Sequence, residues 1–532
     1  MSKKYTSEEL KGLSKEALIM LLLSMQEQLE QLNNSMQLLS EQISIANGKR
    51  FGRSSEKLEP YENQIALKEC FNEAEVTIQG KEILEPEIEK VCAYKRKKAK
   101  GKRDEDLKNI SVKVIPHKLT DEQLTQIFGK NNWKELPDEV YKRLTFHPAV
   151  FEVEEHHVSV YAGKDNETII RADRPTDLLR NSIVTPSLAA AIMNAKYVNA
   201  IPLYRLEQEF KREEVNISRQ VMANWVIRCA ERYLALVWDR LHQELYRSPV
   251  IQADETPVLV NKDGRSAGSK SYMWVYRTGK MYDEAPIVLY EYQKTRNQSH
   301  PREFLKDYSG VCVTDGYQVY HSLEKELKDL KIAGCWAHCR RKFADVVKAL
   351  GKEKAKNTLA YAALQQISAI YKVEKELKDL STEERVNRRQ LSVKPLVDAF
   401  FAWVKANQHK VPEKSETGKG FTYCINQEQY LRVFLENGNV PADNNAAEQS
   451  IRSFCIGKAN WHLIDTINGA KASAIIYSIA ETAKANHLKP YHYFEYLLIE
   501  LSKHQDDTNL DFIDELLPWS KTLPKECLKI EQ

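Results

Sequence analysis

Five short runs between Val250 and Trp336 constrain the fold of this chain more than any other feature. Val250–Ala253, Tyr272–Thr278, Pro286–Tyr292, Val311–Thr314 and Ile332–Trp336 are rich in β-branched and aromatic residues, the side chains that suit a pleated surface. Asp263-Gly264 and Thr278-Gly279 supply turn points between the early runs, while helical patterns separate the later ones. That order predicts a mixed α/β sheet. At 532 residues the chain exceeds what one core serves, so about three or four structural units are expected.

The flanks of the sheet region read differently. Leu18, Leu22, Met25, Leu29, Leu32, Met36, Leu39 and Ile43 recur at alternating steps of four and three, a seam that predicts a coiled coil over residues 1–48 and a homodimer or higher assembly through it. Leu21, Leu23 and Leu38 lie off the seam, so an intramolecular helical hairpin is the alternative. Residues 49–104 form a basic linker region. Within it Lys95, Arg96, Lys97 and Lys98 read equally as a solvated linker and as a stretch that neutralises phosphates. Residues 105–174 suggest a small mixed domain, with strand-like alternation over Phe151–Tyr161. Over 175–245, Leu203–Glu214 and Ser218–Ala230 are amphipathic helices joined by a short connection, the shape of a helix-turn-helix, although any helical hairpin shares it. Arg219 opens the second helix and is a candidate DNA contact. The core is expected over 246–486, with a helical insertion at about 345–430, and a C-terminal arm over 487–532.

Composition excludes more than it identifies. Charged residues make up 29% of the chain but leave a net charge of only +3, so no partner is announced by overall electrostatics. The nine cysteines are scattered and odd in number, which suits a reducing, cytoplasmic compartment. Cys335 and Cys339 enclose His338, but no second ligand pair at zinc-finger spacing accompanies them, so they are expected to be reduced structural thiols. No apolar run approaches the about eighteen residues a membrane span requires, and no membrane association is expected.

Asp254 and Asp315 each follow directly on a predicted strand, where open α/β sheets gather their ligands. Far downstream, Asp443–Gly457 (DNNAAEQSIRSFCIG) predicts a helix with Asp443 as N-cap and Gly457 at its exit. Ala447, Ile451 and Phe454 form its apolar stripe, and Asn444, Glu448 and Arg452 line the opposite face. From that stretch alone an ordinary surface pair of Glu448 with Arg452 is the favoured reading. With the two aspartates Glu448 completes a set of three carboxylates suited to Mg2+ or Mn2+, two ions of which can drive phosphodiester chemistry when roughly 3.5–4 Å apart. Glu255 neighbours Asp254 but points to the other face of the strand, and Asp443 is a rival already occupied by backbone amides.

The stretches QADETPV (Gln252–Val258), TDGYQVY (Thr314–Tyr320), GCWAHCRRKF (Gly334–Phe343), DNNAAEQSIRSFCIGKANW (Asp443–Trp461) and IIYSIAETAKANHLKPY (Ile475–Tyr491) resemble the transposases of the insertion sequence sixty-six family, TnpC type. FGRSSEKL, VNAIPLYRLEQEF and DELLPW extend the resemblance over most of the chain. It implies a DDE transposase with a ribonuclease-H-like core, in which Asp254, Asp315 and Glu448 are the catalytic, metal-binding acids. It also implies double-stranded element ends and target DNA as partners, accessory proteins encoded by the same element, and a bacterial, nucleoid-associated setting. The family's cysteine zinc unit has no counterpart here. His117–Asp173 contains no cysteine, and adjacent histidines such as His156 and His157 point apart on a strand, so zinc is not expected. Arg340, Arg341 and Lys342 follow the fifth strand as candidate contacts to a phosphate backbone, with a solvated helix start as the plainer reading. Asn444, Arg452 and Lys458 flank Glu448 as candidate holders of strand ends, Trp461 is expected in the core, and His338 is left open between DNA and packing. A metal-dependent nuclease on the same core and a catalytically silent DNA-binding regulator are the competing functions.

Overall fold

The computed structural model describes residues 176–529 apart from 267, 283 and 284, together with 14–29, 150–162, 169–173 and single helical positions at 32, 36, 43, 122 and 126. Two compact units result, one of Met1–Glu59 with Asp177–Lys529 and one of Pro60–Thr176 with Ile530–Gln532. The whole linker region with Lys95–Lys98, as well as His117 and His147, lies outside the described residues.

In the smaller unit, β1 (Val160–Ala162) pairs antiparallel with β2 (Ile169–Arg171). The strand expected over Phe151–Tyr161 is therefore only its last two residues. The preceding segment is exposed, with His156 and His157 beside Glu154 and Glu155 at 3.4 and 3.0 Å, so its alternation does not mark a buried face. In the larger unit, residues 15–29 are helical, and the seam side chains Leu22, Met25 and Leu29 are exposed.

The central sheet has the order β5-β4-β3-β6-β7. Its middle strand, β3 (Val250–Lys262), pairs antiparallel with β4 (Lys270–Thr278), which pairs antiparallel with β5 (Val288–Gln293). On the other side, β6 (Gly310–Thr314) runs parallel to β3, and β7 (Leu330–Gly334) parallel to β6. A short β8 (Ile464–Thr466) joins the far end of β3. The burial of β3 changes along its length: Val250–Ala253 is buried without a break, then Val258 and Val260 alternate with exposed Pro257 and Leu259. Its first part is covered on both faces and its second on one.

Alternation divides the sheet between two cores. Ile251, Ala253, Cys312 and Ile332 face one that includes the preceding helices α1 (Pro186–Met193), α2 (Leu203–Arg212), α3 (Arg219–Cys229) and α4 (Ala235–Leu245). Val250, Val311, Val313 and Ala333 face the other, built by the insertion. Ser218 caps α3, its hydroxyl accepting from the Val221 amide at 3.4 Å. The helix does not stop near Ala230, however. A π-helical turn over Ala230–Leu234 carries it into α4, because no glycine or proline intervenes and Tyr233, Leu234, Val237 and Leu241 continue the buried stripe.

Around the sheet follow α5 (Ser299–Leu305), α6 (Gln318–Glu326) and α7 (Trp336–Leu350), which begins where the fifth strand was expected to end. The insertion continues through α8 (Leu359–Glu376), α9 (Lys394–Asn407) and α10 (Glu416–Arg432). The last helices are α11 (Asn445–Trp461), α12 (Ile467–Ala485) and α13 (Pro490–Lys503). The small residues of α12 let it lie close against edge strand β5, whose free backbone groups it satisfies: Ser478 Oγ accepts from the Tyr290 amide at 2.7 Å, and Thr482 Oγ1 bonds both the amide and carbonyl of Val288 at 3.0 Å. Leu516, Leu517 and Leu523 of the arm are buried in the first core.

Candidate active site

One edge of β3 is incomplete. Parallel pairing with β6 stops at Gln252 and pairing with β8 resumes at Val260, leaving the stretch around Asp254 without a strand neighbour on that side. A Thr-Pro step ordinarily ends a strand, but β3 runs through Thr256-Pro257 to Lys262. Proline lacks an amide hydrogen, which matters little along an edge that has no partner strand. Asp254 thus sits inside a long strand, two residues past the end of its parallel pairing.

Helix α11 closes this gap with side chains. Asn444, fully buried, donates from Nδ2 to the Ala253 carbonyl at 2.8 Å and accepts from Gln252 Nε2 at 3.1 Å. Lys458 Nζ donates to the Pro257 carbonyl at 2.8 Å. From β4 and β5, Arg277 donates to the Ala446 carbonyl at 3.2 Å and the Tyr290 hydroxyl to the Ser450 carbonyl at 2.6 Å. The helix runs on past Gly457 to Trp461, because Gly457 is an interior contact: a Cβ there would lie 2.2 Å from the Tyr477 hydroxyl. Trp461 packs edge-on against Phe454. The cap position is Asn444, while Asp443 Oδ1 accepts from the Asn445 amide at 3.1 Å.

The acids occupy this edge. Burial, then the charges of Glu255, Asp315 and Glu448, push the Asp254 carboxyl up to about 8, against the pull of the Glu255 amide that donates to it at 2.8 Å. Asp315 lies just beyond β6 on a turn made possible by Gly316 at φ +94°, and the Tyr317 amide and Tyr423 hydroxyl hold its Oδ1 and carbonyl at 2.9 and 3.0 Å. Glu255 is almost wholly buried. Burial and Asp315 raise it to about 7, although Arg296 donates to Oε1 from Nε at 2.7 Å, and its Oε2 has no partner. Arg296 in turn stacks on the Tyr317 ring at 3.7 Å, and the Tyr317 hydroxyl donates to its carbonyl at 3.0 Å. A chain of contacts therefore runs Glu255–Arg296–Tyr317–Asp315 and ties the two aspartate-bearing segments together.

Glu448 belongs to the same edge but is turned aside. Its carboxylate accepts from Arg341 Nη2 at 3.0 and 3.3 Å and stands 3.6 Å from His338 Nδ1. Its cationic partner is thus Arg341 from α7, not Arg452 one turn on. Among the described residues the metal-ligating atoms that converge within 4.8 Å are those of Cys335, His338 and Glu448; Asp254 and Asp315 are not in that cluster.

The expected DNA contacts fall in different settings. Arg341, Lys342, Arg452 and Arg219 are exposed, Lys342 over the Tyr423 ring and Arg219 over Tyr204. Arg340 is half-buried. Lys458 is engaged with β3, and Asn444 is a buried pin with no surface to offer a strand end. Gln252, Arg277 and Arg296 were not singled out from sequence; a glutamine inside the apolar run VIQA was the one visible signal. No described helix is long and apolar enough to cross a membrane.

The chain is 26% identical over 389 residues to the uncharacterized protein y4qI of Sinorhizobium fredii (strain NBRC 101917 / NGR234), covering 71% of this chain and 70% of that one. It is 27% identical over 382 residues to y4jD of the same strain, covering 70% and 73%. Among solved structures it is similar to the Mos1 transposase paired-end complex with left transposon end, at 13% identity and a TM-score of 0.14 over 38% of this chain and 79% of that one. A family model for the IS66 C-terminal element matches 478–519, and one for the transposase C of IS166 homeodomain matches 38–115. The model for the transposase IS66 family matches 181–472, more than half of the chain and all of the sheet and acidic edge, and the chain belongs to that family.

Proposed function

We propose that this transposase cuts DNA at the ends of its element and joins the freed 3′-hydroxyls to target DNA, with Asp254, Asp315 and Glu448 as its catalytic acids. The observation that carries the reading is the crowding of carboxyls at the open edge of β3, where Glu255, Asp315 and Glu448 all raise Asp254. Such a site is short of positive charge, and its all-oxygen donors suit a hard divalent cation. Asp254 and Asp315 supply carboxylates at that edge, and Glu448 joins them once Arg341 releases it. The strand order, with three antiparallel strands followed by two parallel ones on the far side of β3, supports a ribonuclease-H-like core.

Magnesium or manganese bound there supplies activation of a water or 3′-hydroxyl and neutralises charge on the departing oxygen. The chain itself does the positioning. Asn444 and Arg277 fix the start of α11 against the sheet, Arg296 and Tyr317 hold the Asp315 turn, and Arg341 exchanges Glu448 for a DNA phosphate as the duplex enters. The exposed seam over residues 15–29 pairs two protomers, so that both element ends are handled together. The α2–α3 region and the basic segment at Lys95–Lys98 bind DNA, and proteins encoded by the same element assist.

Incubation of the full-length protein with labelled end DNA, target DNA and Mg2+ tests the reading, beside a measurement of Mg2+-dependent melting. Joined product is expected. Cleavage without joining would favour a nuclease; binding without either, and without stabilisation by Mg2+, would favour a regulator and overturn the acid assignment.

A further inference from the structure

We propose that Cys335, His338 and Glu448 form a second metal site, of zinc type, which restrains the protein by holding Glu448 away from Asp254 and Asp315. The proposal rests on Glu448 being the third acid of the proposed active site.

Two helix starts build the cluster. Cys335 precedes the first residue of α7, and His338 lies one turn further on the same face. Glu448 is in the first turn of α11, and the Asn444 amide that opens that helix donates to Cys335 Sγ at 3.1 Å, drawing the two starts together. The donor atoms of the three side chains lie within 4.8 Å of one another. Around a tetrahedral zinc, bonds of about 2.0–2.3 Å set ligand atoms roughly 3.5 Å apart, so an adjustment of about 1 Å closes the site. His338 Nδ1 is buried, faces Glu448 Oε1 at 3.6 Å and makes no hydrogen bond, which leaves a ring nitrogen aimed into the cluster and unused.

Sulfur, imidazole and a single carboxylate select against magnesium and for zinc, cobalt or cadmium. Coordination releases the Cys335 thiol proton to solvent, and the fourth position is left for water. Arg341, half exposed, donates to Glu448 and to His338 Nε2, and it swings off both as the ion takes its place, which lets the imidazole carry its proton on Nε2 and offer Nδ1 to the metal. One carboxylate then has two alternative masters. A hard ion beside the aspartates and a borderline ion beside Cys335 compete for Glu448, and the second suppresses the chemistry that the first supports.

Cobalt titration of the metal-stripped full-length protein decides the matter without reference to catalysis. A near-ultraviolet thiolate-to-cobalt band saturating at one equivalent is expected. Cys335→Ser should abolish it, and Cys455→Ser, at a half-buried thiol elsewhere on α11, should retain it. Should Cys335→Ser fail to fold, His338→Gln serves, with cobalt binding weakened roughly tenfold or more. No band, or a band unchanged in these variants, overturns the proposal. In a second arm, one equivalent of zinc should suppress Mg2+-dependent end cleavage by the wild type but not by Cys335→Ser, each compared with its own zinc-free rate. If neither protein cleaves DNA, the active-site reading fails while the cobalt band still decides this one.

Discussion

The two edges of β3 do opposite things with the same backbone. Toward β4, residues Ile251–Leu259 pair in unbroken register, and the strand beyond is sealed by serine and threonine hydroxyls from α12. Toward β6 and β8, pairing lapses, and the gap is filled by an asparagine, a lysine and a group of crowded carboxyls. The first edge pairs its backbone groups and holds the fold, although Trp274 Nε1, the Tyr276 hydroxyl and Glu291 Oε2 on that side lack partners among the described residues. The second leaves charge uncompensated and a carboxylate oxygen of Glu255 without a partner, which is where a site that must bind something else concentrates its strain.

If this division holds, substitutions on the two edges separate cleanly. Asp254→Asn should reduce end cleavage by about a thousandfold or more while melting stays at or above that of the wild type, because a buried acid that is costly to ionise has been replaced by a neutral amide. Leu289→Ala, in the fully buried part of β5, should do the reverse, costing about 3 kcal/mol of stability measured by denaturant unfolding, with activity per folded molecule preserved. An Asp254→Asn protein that melted far lower, or that kept its chemistry, would erase the distinction.

Asn444→Ala probes the seam where the edges meet. It leaves the buried Ala253 carbonyl without its side-chain donor and the Gln252 amide with the Asp443 carbonyl alone, at a cost of about 2 kcal/mol. Unlike Leu289→Ala it should also lower activity in the molecules that remain folded, since α11 carries Glu448. A purely additive loss of stability, with chemistry intact, would show that the helix is positioned by other contacts such as Arg277 and Tyr290.

These contacts explain which parts of the molecule were legible from sequence. The strands on the paired edge announce themselves by residue type, and their bounds shift by only one or two positions. From sequence, Asp254 and Asp315 read as acids that follow strands and Glu448 as an acid on an amphipathic helix, yet Asp254 lies inside β3. What the linear pattern hides is partnership across long separations. Asn444 reads as a residue facing DNA because its helix face is polar, yet that face is turned to the open edge of β3, where polar groups are needed. Thr256-Pro257 reads as a stop, and only the missing neighbour strand shows why the strand continues. Arg296 lies in an unpatterned stretch, KTRNQSH, where nothing local distinguishes it from a surface arginine.

Arg296 gives a smaller and more selective test. Arg296→Gln removes the cation from Glu255 and the stacking partner from Tyr317, so the Asp315 turn loses a tether without losing its own hydrogen bonds. The Mg2+ concentration for half-maximal cleavage should rise by about tenfold, a change of roughly 1.4 kcal/mol, while Mn2+, less demanding of geometry, should restore much of the rate. An equal loss with both ions would indicate general disruption instead of a loosened turn.

The smallest effect is also the most direct reading of the open edge. Asp254 at about 8 and Glu255 at about 7 both sit above the ordinary carboxylate range, so folding takes up protons at neutral pH. Their contribution to stability is complete below that ordinary range and disappears as pH rises through about 7 to 8, when both must ionise in a buried, mutually repelling site. The metal-free protein should therefore melt a few degrees lower at about pH 9 than at about pH 6, on account of these groups. Mg2+ should return most of that difference at the higher pH and little at the lower one, where the protons already neutralise the site. Asp254→Asn should flatten both the pH dependence and the response to Mg2+, whereas Leu289→Ala should lower the whole curve and leave its slope unchanged. A Mg2+ response independent of pH would mean that the ion binds elsewhere, and that the crowding at β3 is not what draws it in.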